Sequence, residues 1–365
     1  LFPFGRSGAG VFLARSFLAM KNLKKLLEAH STQASAPCRI DCGGTLDIKT
    51  FYYPLRYLSP CTFNVALDMK TRVQLLPYES GMVRVSSRGF QTQEHPSESA
   101  PFNSPLGLMF AVAAYFQVEG VHIDIVSESP PRSGLGGSSA AAVALIACVS
   151  MALHGRVSQE KTVLLAHAIE EAVASVPCGL QDQLAAAYGG VHAWYWPSEP
   201  TEPPFKKLDV LTKKDHGALA KRLLVAYCGV AHQSRDTNGK WVQQFVSGQV
   251  RSPWIEMVNT TKAFVKAVRV KDWASAVHAM NKEVEIRRTI TPEVFDDLGD
   301  ALLEGALAHG CGARFTGAGG GGCLWALGEV EDIEKLRSTW TDILSQREDA
   351  RLLQAGVDSK GLEVT

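Results

Sequence analysis

The segment Ser133-Gly134-Leu135-Gly136-Gly137-Ser138-Ser139 runs directly into an alanine-rich stretch over 140–153. Three glycines within four positions let the backbone pass close to a bulky ligand and turn several N–H groups inward. Alanine and leucine favour helix, so a helix begins where the loop ends. The first N–H groups of that helix have no intrahelical partner and its dipole is positive there. Loop and helix start together therefore form an anion site. Ser138 and Ser139 can cap the helix, and a hydroxyl at this place can also ligate Mg²⁺. Taken alone, an ordinary capped helix behind a flexible loop fits the same residues. A Walker A loop requires a lysine after its last glycine and is excluded, as is the G-x-G-x-x-G fingerprint.

The rest of the chain narrows the setting. Its 365 residues exceed one ordinary core and predict two domains; 46% are hydrophobic and 20% charged, as in a globular protein. Lys+Arg and Asp+Glu both number 37, so no basic excess points to nucleic acid or an anionic membrane. Eight scattered cysteines show no C-x-x-C pair and no histidine cluster. They read as buried, reduced thiols of a cytoplasmic protein rather than a disulfide framework. No stretch reaches the roughly 18 apolar residues that a membrane-spanning helix requires. Residues 1–27 carry Arg6, Arg15, Lys21, Lys24 and Lys25 without an acid. That composition matches a transit peptide, and upstream or appended sequence ahead of Met20 is the plainer alternative.

Periodicity predicts strands at 35–40, 64–69, 73–76, 82–86, 121–126, 192–196, 222–227, 313–316 and 323–326. It predicts helices at 104–117, 140–153, 159–174, 181–188, 239–246, 254–269, 272–288 and 295–308, with a short one at 21–30. The Pro-rich stretch 199–204 reads as a surface loop near a domain boundary. Helices and strands mix in both halves, so the expected class is α+β.

The pattern P-x-x-x-G-L-G-x-S-S-A, carried by Pro130, Gly134, Leu135, Gly136, Ser138, Ser139 and Ala140, resembles the phosphate-binding motif of the GHMP kinases. Gly137 stands where many members have serine. The resemblance implies that Pro131, Ser133, Gly134, Leu135, Gly136, Gly137, Ser138, Ser139 and Ala140 bind ATP. Two further segments follow in family order. Ala36-Pro37-Cys38-Arg39 through Gly44-Thr45-Leu46-Asp47 is similar to the first motif, which implies a catalytic role for Arg39 and substrate contacts from Gly44, Thr45 and Asp47. Ala313-Arg314-Phe315-Thr316-Gly317-Ala318-Gly319-Gly320-Gly321-Gly322-Cys323 resembles the third motif, which places Gly317, Gly319 and Gly320 beside the nucleotide phosphates.

Between them, Val176-Pro177-Cys178-Gly179-Leu180-Gln181-Asp182-Gln183 resembles the catalytic segment of the galactokinase, heptose 7-phosphate kinase and fucokinase branch. A sugar hydroxyl is a poor nucleophile at neutral pH, and a carboxylate that takes its proton or holds it in line removes that obstacle. By position this is Asp182, with Gln181 as a substrate contact. Twelve residues earlier, Glu170 matches the residue that binds Mg²⁺ in this branch together with Ser139. Hard oxygen ligands suit that ion. Glu171 points about 100° away on the helix and reads as solvated. Arg39 has two possible tasks, holding Asp182 ionised or stabilising the transferring phosphoryl group, and the sequence does not separate them.

The resemblance spans residues 34–330. It implies an extension at 1–33, an N-terminal domain like the second domain of ribosomal S5 at 34–200, and a ferredoxin-like domain at 201–365. It also implies an ATP-dependent kinase acting on the anomeric hydroxyl of a sugar or sugar phosphate, monomeric or homodimeric. Galactokinases carry a Glu-His pair before the first-motif Asp, and this chain has glycines and Thr-Leu there. That turns the expectation toward heptose 7-phosphate and fucose. Lys49, Arg56, His232 and Arg235 are candidates to meet a second phosphate, although each also reads as a solvated charge. A GHMP kinase of a non-sugar alcohol and a non-catalytic ligand sensor are the alternatives.

Overall fold

The computed structural model describes residues 23–174, 177–197, 201–230, 234–294 and 296–365, with residues 234–236 by backbone alone. Expectations for residues 1–22, Val176, Glu199, His232, the Arg235 side chain and Phe295 lie outside the described residues.

The first half opens with α1 (Leu23–Ala29), β1 (Thr32–Cys42), α2 (Lys49–Tyr52), β2 (Cys61–Pro77), β3 (Met82–Ser87) and β4 (Gln93–Pro96). It continues with α3 (Gly107–Tyr115), β5 (Val121–Ser127), α4 (Gly137–His154), α5 (Gln159–Ala174), α6 (Gln181–Tyr188) and β6 (Val191–Tyr195). Next come β7 (Lys206–Leu211), α7 (His216–Ala220), β8 (Leu223–Tyr227), α8 (Ser234–Val246), α9 (Arg251–Arg269) and α10 (Trp273–Ile290). The chain closes with α11 (Asp297–Ala308), β9 (Gly312–Phe315), β10 (Cys323–Leu327), α12 (Val330–Leu344), β11 (Arg351–Leu353) and β12 (Glu363–Val364).

These strands form two sheets, and the α+β class is as expected. The larger has the order β12-β1-β2-β5-β3-β4, with β6 on the first part of β2 and β7 on β6. Strand β2 is long enough to pair β6 through residues 61–65 and β5 through 71–77. The smaller sheet, β11-β8-β10-β9, is antiparallel throughout. Taken from β8 onward its strand order is 4-1-3-2, the ferredoxin-like arrangement, with α8 to α11 filling the first connection.

Side-chain alternation along the strands sorts the chain into three cores. In β8, Leu224 and Ala226 enter a core with Phe51, Trp241, Trp254 and Trp340, while Leu223 and Val225 enter another with Phe63, Phe264 and Trp325. That second core lies between the two sheets and takes residues from both. The third packs α3, α4, α5 and α6 on the larger sheet. Helix α4 is, among the described residues, long and apolar enough to cross a membrane. This contrasts with the expectation that no stretch would be. It lies instead in that core, against β1 and β2.

The pairing of β1 with β2 shifts register between Pro37 and Arg39. Such irregularities bend a strand and re-aim the next side chains. Here the next side chain is Arg39.

Candidate active site

A cavity of about 770 Å³ opens between the 130–139 loop, the turn around residue 45, the start of α6 and the third glycine loop. Loop and helix start meet as the sequence predicts. Gly134 and Gly136 hold φ of 73° and 76°, in the left-handed region that favours glycine. Gly136 is also the residue that precedes α4, and a Cβ on it would stand 3.2 Å from Asp182 Oδ2. Pro131, Ser133, Gly134, Gly136, Gly137, Ser138 and Ser139 line the cavity. Leu135 and Ala140 do not: both side chains are fully buried in the cores, and Leu135 contributes a carbonyl that accepts from Arg39 N at 2.9 Å. Apolar packing decides their orientation.

Arg39 and Asp182 form a two-pronged pair. Arg39 Nε donates to Asp182 Oδ1 at 2.8 Å and Nη2 to Oδ2 at 2.9 Å, while Nη1 donates to Gly134 O at 2.6 Å. Such planar pairing fixes a carboxylate in direction as well as in charge. Asp182 is the second residue of α6 and keeps partial exposure toward the cavity.

Ser139 Oγ donates to Glu170 Oε2 at 2.9 Å, and Gln183 Nε2 donates to the same oxygen at 2.7 Å. Burial, and then the neighbouring Asp182 charge, push the Glu170 carboxyl up to about 7 despite these bonds. A carboxylate so placed has neutral hydrogen-bond donors, and a hard oxygen set of this kind fits a divalent cation. Gln183 is a member of this group that the motif reading passed over.

Asp47 lines the same cavity, close to Asp182. Its Oδ2 accepts from Gln181 N at 3.0 Å, and its Oδ1 has no hydrogen-bond partner. Burial pushes its carboxyl up to about 6. Gly179 passes so close that any Cβ there would overlap the Asp47 carboxylate. Thr45 lines the cavity with φ of 75°, rare for a β-branched residue, whereas Gly44 lies behind it. Gln181 Oε1, Gln183 Oε1 and Asn238 Oδ1 also face the cavity as buried oxygens without a partner. Asn238, on α8, was not among the expected site residues.

In the third loop, Gly317 and Ala318 line the cavity. Gly319 packs on Val294, and Gly320 N donates to Val294 O at 3.2 Å, so both stand behind the lining. Gly317 N donates to Asp41 Oδ1 at 2.7 Å. Asp41 is fully buried, and although burial acts to raise its carboxyl, Arg314 and Arg39 hold it below the usual range. Asp41 and Arg314 stand in the first- and third-motif segments without an assigned role, Glu283 and Arg287 lie outside the motifs, and the four form a buried charged layer.

The cations lining the cavity, among the described residues, are Arg39, Arg88 and Arg132. The 88–90 turn packs against Pro131, which puts Arg88 at the glycine-loop end. Arg132 lies there too, over the Phe90 ring. Lys49 lines a second cavity of about 940 Å³ with Tyr53, Tyr57 and Arg251. Arg56 donates to Tyr53 O and stacks on the Tyr53 ring. Neither Lys49 nor Arg56 lines the Asp182 cavity.

Residues 104–190 match the family described as GHMP kinases N terminal domain. A mevalonate kinase of Pyrococcus horikoshii is 24% identical over 294 residues, 72% of this chain and 80% of that protein. A galactokinase of a Roseiflexus species is 25% identical over 316 residues, 75% of this chain and 80% of that one. The crystal structure of Lactococcus lactis galactokinase complexed with galactose superposes with a TM-score of 0.71 at 17% identity, covering 96% of this chain and 99% of that one.

Proposed function

We propose that this chain, similar to the GHMP kinases over residues 104–190, is an ATP-dependent kinase of that superfamily acting on the anomeric hydroxyl of a sugar in the galactose, fucose and heptose 7-phosphate class. One observation carries this reading. Asp182, aligned by Arg39 beside the glycine loop, lines a pocket in which Asp47 Oδ1 and the side-chain oxygens of the lining residues Gln181, Gln183 and Asn238 accept no hydrogen bond. Buried acceptors without donors are costly, and a ligand rich in hydroxyl groups supplies the donors.

The chemistry follows from the placement. The glycine loop and the start of α4 bind the phosphates of ATP through backbone N–H groups. Asp182 takes the proton of the attacking hydroxyl as the oxygen approaches phosphorus. Arg39 holds that carboxylate in direction, with three of its nitrogens engaged by Asp182 and Gly134. Of its two possible tasks, this geometry supports positioning of the base. Ser139 and Glu170 would hold Mg²⁺, which neutralises charge on phosphate oxygens when bound.

Most of the similar curated proteins carry the name mevalonate kinase, which makes a carboxylate-bearing alcohol the second reading. Against it stands the acceptor end of the pocket. Asp47 there would repel a carboxylate, and Arg39 nearby is already engaged by Asp182 and Gly134. An ADP-release assay with galactose, fucose, arabinose, glucuronate, heptose 7-phosphate and mevalonate decides. Turnover of a sugar, with phosphorus–proton coupling at the anomeric position of the product, is expected. Turnover of mevalonate alone would replace the proposal with the second reading.

A further inference from the structure

Under the acceptor end of the pocket lies a closed set of charges drawn from both sheets. Glu283 and Arg287 sit one turn apart on α10 and pair at 2.5 Å. Arg314, on β9, binds the same carboxylate through Nε at 3.1 Å and Nη2 at 3.3 Å. Arg314 Nη1 reaches on to Asp41, pairing with Oδ2 at 3.2 Å and donating to the Asp41 carbonyl. All four residues are at most 5% exposed. Charges this deep persist only when they are paired and hydrogen-bonded to one another.

The set ends on the turn that leads to Asp47. Arg287 Nη2 donates to Gly44 O at 2.8 Å. Gly44 lies directly on the Asp41 carboxylate, so closely that a side chain there would overlap it. The following residue is Thr45, in the left-handed region, and Gly43 before it is left-handed as well. A β-branched residue keeps such a conformation only where its surroundings impose it. Arg287 and Asp41 hold the turn at Gly44, and Thr261 packs on Gly43.

We propose that Arg287, held by Glu283, is a positioning residue that clamps the 43–45 turn and thereby places Asp47 for acceptor binding. This rests on the reading of Asp47 as an acceptor contact. The α10 helix then sets acceptor affinity from outside the pocket, because its side chains do not line the cavity.

The test compares three variants with the sugar that turns over fastest in the panel above. In Glu283→Gln/Arg287→Met the remaining Arg314 still pairs with Asp41, so no charge is left without a partner. Its acceptor KM should rise by roughly ten- to a hundred-fold, the scale of an ångström-sized misplacement, with the ATP KM unchanged. Amides of residues 43–47 should exchange hydrogen faster, and those of α4 should not. Arg287→Lys keeps a donor and a charge and should restore most of the acceptor affinity. Asp47→Ala separates the two ideas. If it leaves acceptor KM unchanged, the pocket assignment fails. If it raises acceptor KM while the double variant has wild-type KM and wild-type exchange at 43–47, the clamp fails. Should no sugar turn over, unchanged exchange at 43–47 alone overturns it.

Discussion

Two carboxylates of one pocket have different neighbours. Asp182 has a guanidinium against both oxygens; Asp47 has one backbone N–H and burial, which lifts it to about 6. Asp182→Asn should lower turnover by roughly a hundred- to ten-thousand-fold, the usual worth of a positioned base. It should leave ATP binding, measured by calorimetry, in place. For Asp47 the native carboxyl binds its proton more tightly than the unfolded one, which titrates near 4. Stability therefore falls as pH rises from about 4 to about 6, and the cost is constant above that window. Asp47→Asn removes the charge but keeps an acceptor for Gln181 N. At pH 8 it should stabilise the fold by about 3 kcal/mol, two pH units at 1.4 kcal/mol each, and at pH 4 it should change little. Denaturant titrations at the two pH values check this, and the same variant should bind acceptor less well. Arg39, Ser139, Glu170 and Asp182 were legible because they stand in short motifs. Asp41 and Arg314 stand in motif segments too, but their pairing was not legible, since 273 positions separate them and nothing local distinguishes a buried charge from a solvated one.

At the scale of elements, the helices at 159–174 and 181–188 match the sequence reading to the residue. The first buries Thr162, Val163, Ala166 and Ile169 at helical spacing, whereas the second is buried almost throughout and is bounded by Gly179 and Gly189. Strand β2 was read as two pieces because Asp68, Lys70 and Arg72 interrupt the apolar run. These three sit on the alternate positions that face outward, so the strand continues through them. Strands β7, β11 and β12 are short and polar, and they exist because an edge of a sheet is available to them. Helix α12 was missed although Ile333, Leu336, Trp340 and Leu344 recur every three or four residues. The connection into α6 carries the sharpest requirement. Gly179→Ala would drive a methyl group into the Asp47 carboxylate. Acceptor KM should rise by at least tenfold while α6, and with it Asp182 and ATP binding, stays in place. Calorimetry with a non-hydrolysable ATP analogue together with steady-state kinetics distinguishes the two effects. Loss of nucleotide binding would show that Gly179 supports the whole segment instead.

For the molecule as a whole, the question is whether its two sheets are separate folding units. The apolar core between them argues that they are not. Phe63 of β2 packs edge-on against Phe264 of α9 at 5.1 Å, and Phe264 against Trp325 of β10 at 6.3 Å. Trp325 Nε1 donates to the Asp41 carbonyl of β1 at 3.0 Å. Unfolding either sheet alone would expose three large aromatic rings and strand the buried Arg314 without Asp41. Each of those losses is a sizeable fraction of the stability of an ordinary domain. The chain should therefore melt in a single transition, with calorimetric and van't Hoff enthalpies equal. Phe264→Ala should weaken the apolar contact between the sheets and leave the other two cores intact. It should cost about 3–5 kcal/mol and, if the shared core is what couples the sheets, split the transition into two. Scanning calorimetry of both proteins is the measurement. Two transitions in the wild type would mean that the sheets fold independently and meet only at the cleft.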